Sequence, residues 1–244
     1  MSKDFFILKI DNFFDFLVNN FSTSDGVGFS KSIILLYESL KNLFLFVNPI
    51  VFILTACLLS FVFLKKRLVF LILPGFFFIL HFDLWKASMD TIAIIFVSVF
   101  VSVILGIPIG ILGGYFPRFY VFLKPILDLM QAMPPFIYLI PAIPFFGMGT
   151  ASAIFATIIF AMPPVIRYTR LGIVQVSDEV IEAAKSFGSS NLRILLQVQL
   201  PLSLQSIIEG INQSIMMAIS MIVIAAMVGS SGLGQDCNLF HRKY

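Results

Sequence analysis

Charge is scarce in this sequence. Asp, Glu, Lys and Arg make up 12% of the 244 residues, about half of the ~25% usual in soluble domains. Apolar residues reach 59% even without Gly, and mean hydropathy is +1.01. So few polar side chains cannot solvate the surface of a 27.3 kDa globule. A soluble globular enzyme is therefore excluded, and so is disorder, which requires low hydrophobicity. Cysteine is scarce as well. Cys57 lies in an apolar run and Cys237 near the end of the chain, so no disulfide scaffold is implied. The two histidines, His81 and His241, form no metal-ligand spacing. A net charge of only +3 gives no reason to expect a nucleic-acid partner. No nucleophile–base set, metal motif or Gly-rich phosphate loop is present. The expectation is a chain with no catalytic residues, no metal and no nucleotide site of its own. The one abundant aromatic, Phe with 29 copies, reads as apolar filling rather than a cation cage.

What remains is an all-α, polytopic integral membrane protein. A helix needs roughly 20 apolar residues to cross a bilayer. Six runs qualify: Phe46–Leu64, Leu68–Phe82, Ile92–Tyr115, Pro125–Phe146, Ala151–Ile166 and Ser203–Val228. The second is short and carries Pro74 and Gly75, tolerated in membrane helices when neighbours re-satisfy the backbone. The N-terminus lacks the basic region, apolar core and small-residue cleavage site of a signal peptide. Phe13, Phe14, Leu17, Val18 and Phe21 instead recur near helical spacing and predict an amphipathic surface helix. Ser22 to Ser30 reads as a linker.

Nine of the sixteen basic residues fall on alternate connections. They are Lys65, Lys66 and Arg67, then Arg118 and Lys124, then Arg167, Arg170, Lys185 and Arg193. The positive-inside rule puts these connections in the cytoplasm and the N-terminus outside. In the third span Ser102, Gly106, Gly110 and Gly114 repeat every four residues, so they share a face on which another helix can approach closely. Pro108 within that span predicts a kink.

The stretch from Arg167 to Pro201 is the one long polar segment between spans. Ser177 is placed to N-cap a short helix with Asp178 and Glu179 in its first turn. Val180, Ile181 and Ala184 give that helix an apolar side, and Gly188 is placed to end it. Ser189 or Ser190 then starts a second helix with Leu192, Leu195, Leu196 and Leu200 along one side. Such a unit can serve as a knob for another protein's groove, or as a connector with no partner.

Glu182-Ala183-Ala184, then Gly188, Val198 and Leu200-Pro201, resembles the EAA loop of ABC-importer permeases, with Val198 at a usual Ile. Leu127–Pro141, Ile159–Arg167, Gly210–Ala218 and Gly229–Gly234 are similar to glycine betaine/proline permeases. The resemblance covers roughly Ser88 to Gly234. It implies a type I, MetI-like permease fold and a bacterial inner-membrane subunit of a binding-protein-dependent importer for glycine betaine/proline-type osmoprotectants. It implies a homodimer with a second permease copy, two ATPase subunits carrying ATP and Mg, and an external substrate-binding protein. Glu182, Ala183, Ala184, Gly188, Val198, Leu200 and Pro201 would form the ATPase-docking loop. The expected organisation is an external N-terminal segment (1–45), two family-variable spans (46–87), a permease domain (88–234) with cytoplasmic loop 167–201, and an atypical tail (235–244). The family continues with one more span, for which Gln235–Tyr244 offers no counterpart. The alternatives are a permease for another small solute such as methionine, and a truncated, non-transporting remnant.

Polar residues inside spans are costly and often functional. Asp128 and Glu209 are placed near the ends of their spans and read as interfacial anchors or helix-to-helix bonds. Gln131, Asn212 and Gln213 are the residues expected along the translocation path.

Overall fold

The computed structural model describes residues 28–63 and 66–234. The expected surface helix around Phe13–Phe21, most of the linker from Ser22, and the tail 235–244 lie outside the described residues. Among those described, every regular element is helical. In chain order they are α1 (Gly28–Phe46), α2 (Pro49–Phe63), α3 (Lys66–His81), α4 (Trp85–Tyr115), α5 (Pro117–Ala132), a 3-10 turn (Pro135–Tyr138), α6 (Leu139–Phe146), α7 (Thr150–Val174) and α8 (Asp178–Ser186). A bent helical stretch from Asn191 then leads into α9 (Leu204–Ala225) and a 3-10 turn (Ala226–Val228).

Three of these helices, α4, α7 and α9, are long and apolar enough to cross a membrane. Two bent pairs, Lys31–Phe46 with Pro49–Val62 and Pro117–Ala132 with Pro135–Phe146, raise the number to as many as five. The sequence predicted six; the remaining run corresponds to α3, whose apolar stretch Ile72–His81 is shorter. Proline explains the largest differences. A residue before proline is pushed out of the α region by the ring's Cδ. Met133, before Pro134, is extended at φ −76°, ψ 139°, and the run read as one span, Pro125–Phe146, is broken there by a bend of 111°. Phe116, before Pro117, is likewise extended, so α5 begins directly after α4 with proline at its first position. The stretch holding Arg118 and Lys124 is thus helix, not loop. Between α1 and α2, Asn48 precedes Pro49, and its side-chain oxygen accepts the Ile50 N–H at 3.0 Å, starting a new helix after a bend of 91°. Helix α1 was not anticipated at all, and residues 28–30 belong to it rather than to a linker. Pro108 lies inside α4 without interrupting it.

The described residues form two compact units. One comprises residues up to Ile94, Ile143–Ser152 and those from Ala226 on; the other comprises Ile95–Ala142 and Ala153–Ala225. In the second unit α4, α7 and α9 meet around Val99, Ala161 and Ala218. The four-residue repeat of α4 is the seam with α7. The Ser102 hydroxyl, fully buried, reaches the Ile158 carbonyl at 3.0 Å. Gly106 faces Val165, Gly110 faces Ile166 and Thr169, and Gly114 faces Ile173. At Gly110 a methyl group would come within 2.8 Å of the Ile166 carbonyl oxygen, so only glycine admits this approach. On another side of α7, Gly172 abuts Ser203 and Ser206, and Gly210 abuts Tyr168. Helix α7 is thereby gripped by both partners along its second half.

Candidate functional site

The polar segment expected from Arg167 begins later than the sequence suggested, because α7 continues to Val174. Arg167 and Arg170 are therefore helix residues, and each has a partner. Arg167 Nη2 donates to Asp128 Oδ1 of α5. The Arg170 guanidinium lies 3.6 Å above the Tyr120 ring, a cation–π arrangement that needs no counter-ion. The anchoring role read for Asp128 is thus an ion pair between α5 and α7. The clue in the sequence was an acid among the apolar residues of α5 and a base at the end of the apolar run of α7, a pattern that asks for a partner.

Beyond α7, Ser177 is extended at φ −62°, ψ 141° and occupies the N-cap position of α8. Its hydroxyl makes no capping bond; its carbonyl accepts from Val180 and Ile181 N–H at 3.1 and 3.3 Å. Asp178 and Glu179 stand in the first turn and Lys185 in the last, each favoured by the helix dipole. The other end closes as the sequence predicts. Gly188 takes φ +78°, its N–H bonds the Lys185 carbonyl at 2.8 Å, and Ser189 N–H bonds the Ala184 carbonyl at 3.1 Å. This pair of bonds is the Schellman closure, which needs a left-handed residue and so favours glycine.

No residue of α8 is buried. Glu182, Ala183 and Gly188 are exposed, and Ala184 is half-buried. Phe187, at the C-cap, is 91% exposed. The expected apolar side of Val180, Ile181 and Ala184 therefore does not pack into a core. The following stretch also corrects the expectation. Ser190 holds the N-cap position, but the regular helix lasts only from Asn191 to Ile194. A π turn covers Leu195–Gln199, where Leu200 N–H reaches back to the Leu195 carbonyl. Pro201 is the cause. It has no N–H to give the Gln197 carbonyl, so the preceding turn widens. Ile194 and Leu195 are the buried pair, whereas Leu192 and Leu196 are exposed. Leu192 and Leu196, one turn apart, share the exposed side, so the expected leucine face is split. Val198 and Leu200 are half-buried and Pro201 is exposed.

Where α7, α8 and α9 converge, Gln175, Ser177, Val180, Gln205, Ser206 and Glu209 line a polar cleft of about 450 Å³. Glu209 thus lines the root of the loop. Asn212 and Gln213 lie on the exposed face of α9 beside Met216, opposite a buried row of Gly210, Ser214 and Ala218. Gln131 is exposed on the last turn of α5. Asn212 and Gln213 are neighbours; no hydrogen bond links Gln131 to either. Among the described residues no group of three or more His, Cys, Asp or Glu side chains is placed to hold a metal.

Residues 106–238 match the family described as binding-protein-dependent transport system inner membrane component. The chain belongs to this family. The permease is 40% identical over 238 residues to the glycine betaine transport system permease protein OpuAB of Bacillus subtilis, covering 96% of this chain and 78% of that protein. It is 44% identical to the glycine betaine/carnitine transport permease protein GbuB of Listeria monocytogenes, covering 70% of this chain and 60% of the relative. It is also 44% identical to the glycine betaine/proline betaine transport system permease protein ProW of Escherichia coli, covering 62% and 43%. The permease thus spans less than two thirds of the latter two. Its fold is that of a chain in the MetNI methionine ABC transporter, solved in inward facing conformations. That match has a TM-score of 0.59 and 24% identity, covering 64% of this chain and 79% of that one.

Proposed function

We propose that this permease carries glycine betaine or a related proline-type osmoprotectant across the bacterial inner membrane, in an importer powered by separate ATPase subunits. A second permease copy completes the path, and an external binding protein delivers the solute. ATP and Mg are held by the partner subunits. The Arg167–Pro201 region faces the cytoplasm and the N-terminus lies outside, the orientation that the distribution of basic residues along the sequence favours.

The observation that carries this reading is α8. A nine-residue helix with no buried residue contributes nothing to its own chain's core, yet it is sharply terminated at Gly188. Such a helix suits insertion into a partner's groove. Glu182, Ala183, Ala184 and Gly188 form its docking surface, with small side chains that allow close approach. Val198, Leu200 and Pro201 support the joint behind it. Gln131, Asn212 and Gln213 line the path, because amides on an exposed helix face in lipid need water or protein opposite them. The names of the relatives at 40–44% identity favour the osmoprotectant. The methionine transporter, at 24% identity, supports the fold and not the substrate.

The test is ATP-dependent uptake of labelled glycine betaine into proteoliposomes containing the permease, its ATPase and its binding protein. Gly188→Asp is the diagnostic variant. Gly188 has open space around it, so the aspartate fits. However, it must adopt a left-handed backbone at a cost of roughly 1–2 kcal/mol, and it adds negative charge at the negative end of the helix dipole. The variant should insert normally and lose uptake and ATPase pull-down together. Normal uptake by inserted Gly188→Asp protein would defeat the docking role of α8.

A further inference from the structure

Away from the loop, the first unit contains a hydroxyl cluster that joins distant parts of the chain. Tyr37 of α1 and Ser231 are 194 positions apart, and their hydroxyl oxygens are 3.0 Å apart. Ser231 Oγ is also 3.0 Å from Thr150 Oγ1, and Ser231 N–H donates to that threonine oxygen at 3.3 Å. Two residues on, Leu233 N–H donates to Thr91 Oγ1 at 3.0 Å. The Thr91 proton is committed to the Ala87 carbonyl at 2.9 Å, which leaves a lone pair for the leucine amide. Gly232 passes so close to Thr91 that a Cβ would meet its hydroxyl oxygen at 2.5 Å. The chain from Gly229 to Gly232 is not helical, and Gly229 and Gly232 both take positive φ. The Ser231 and Leu233 amides therefore rely on these side-chain oxygens, whereas Gly229 N–H bonds the Ala226 carbonyl at 3.2 Å.

A second contact nearby is of a different strength. One turn from Tyr37, Lys41 Nζ lies 2.9 and 3.1 Å from the two carboxylate oxygens of Asp90. That bond is charge-assisted and partly buried, hence much stronger than a neutral hydroxyl bond. It ties α1 to α4 beside the hydroxyl cluster, with Lys41 Nζ also 5.8 Å from the centroid of the Tyr37 ring. The cluster itself consists of neutral bonds, each individually weak.

We propose that Tyr37, Thr91 and Thr150 are positioning residues that hold the Gly229–Gly234 segment, and that release of this hydroxyl clamp is a step of the transport cycle. The inference rests on the permease reading for its second half. The segment is the direct continuation of α9 through the turn Ala226–Val228, and α9 is the continuation of the loop that carries α8. Displacement of α8 thus reaches the clamp along one covalent path. The Lys41–Asp90 pair keeps α1 in place while the weaker bonds part.

The experiment uses the full chain in nanodiscs. Hydrogen–deuterium exchange over residues 229–234 is compared among wild type, Tyr37→Phe, Thr150→Val, Thr91→Val and Thr91→Ser. Tyr37→Phe and Thr91→Val should each accelerate exchange roughly fivefold, the loss of one net hydrogen bond; Thr150→Val, which loses two bonds, should accelerate it more, and Thr91→Ser should restore protection. Unchanged exchange overturns the clamp. With ATPase and binding protein added, the ratio of solute-stimulated to unstimulated ATP hydrolysis should fall at least roughly fivefold, because the unstimulated rate rises. A merely structural defect would lower both rates in proportion, and that result, or an unchanged ratio, overturns the role in transport. A wild-type complex without stimulation would count against the permease function proposed above, while exchange alone still decides the clamp.

Discussion

Gly110→Ala tests the packing of α4 on α7 with a single methyl group. Carbon atoms in contact sit about 3.5–4.0 Å apart. The added methyl would lie 2.6 Å from Thr169 Cβ and 2.8 Å from the Ile166 carbonyl oxygen. The shortfall is about 1 Å, and the carbonyl cannot rotate away, so the helices must separate. Overpacking of this kind costs about 1–3 kcal/mol, with the upper end expected where backbone obstructs. Alanine returns about 1 kcal/mol of helix propensity. The net loss is about 2 kcal/mol, which for a chain of this size lowers Tm by roughly 4–8 °C. Gly75→Ala is the control, since nothing lies within 4 Å of its Cβ position, and it should melt at or slightly above wild type. Gly106→Ala should fall between them, because it meets Cγ1 and Cβ of Val165 at 2.9 and 3.0 Å, side-chain atoms rather than backbone. Thermal unfolding in detergent, followed by size-exclusion of the surviving protein, gives the ranking. A Gly110→Ala protein that melts with the Gly75→Ala control would refute the close approach of the two helices.

Two further outcomes follow from bonds on the same helices. Ser102→Ala removes a hydroxyl shared between the Ser98 and Ile158 carbonyls; it should cost about 0.6–1 kcal/mol and lower Tm less than Gly110→Ala. The reverse order would show that the hydroxyl, not the glycine row, holds the seam. Asp128→Asn removes an ion pair whose side chains are 50% and 31% exposed for Asp128 and Arg167, so it should cost no more than about 1 kcal/mol. Raising salt toward 1 M, where the screening length is about 3 Å, should bring wild type down to the variant; a gap that persists in salt would mean a buried pair.

Much of the site was readable in the residues. The glycine row was visible because a period of four marks a helix face, and the structure uses that face for its closest packing. Ser177 and Gly188 marked the ends of α8 because turn chemistry is local. What escaped the sequence was non-local or depended on a neighbouring proline. Hydropathy averages over Met133 and Pro134, so it ran α5 into α6 as a single span. Charge counting placed Arg167 and Arg170 in a loop, although an ion pair and an aromatic face let α7 carry them. One missing N–H at Pro201 widens the turn before it, a departure from α geometry that a leucine pattern does not register. Nothing local in Tyr37, Thr91, Thr150 or Ser231 shows that they meet.

The widened turn at Leu195–Gln199 has a mechanical consequence. Between Asn191 and Ala225 the helical path is widened at Leu195–Gln199 and interrupted at Ser203, and Gln199 is tied back to the Ile173 carbonyl by a long 3.5 Å bond. These two irregularities make the path a jointed one rather than a single rigid rod. The orientation of the Asn191–Ile194 turn and that of α9 are therefore not locked together by one continuous ladder of α-helical bonds.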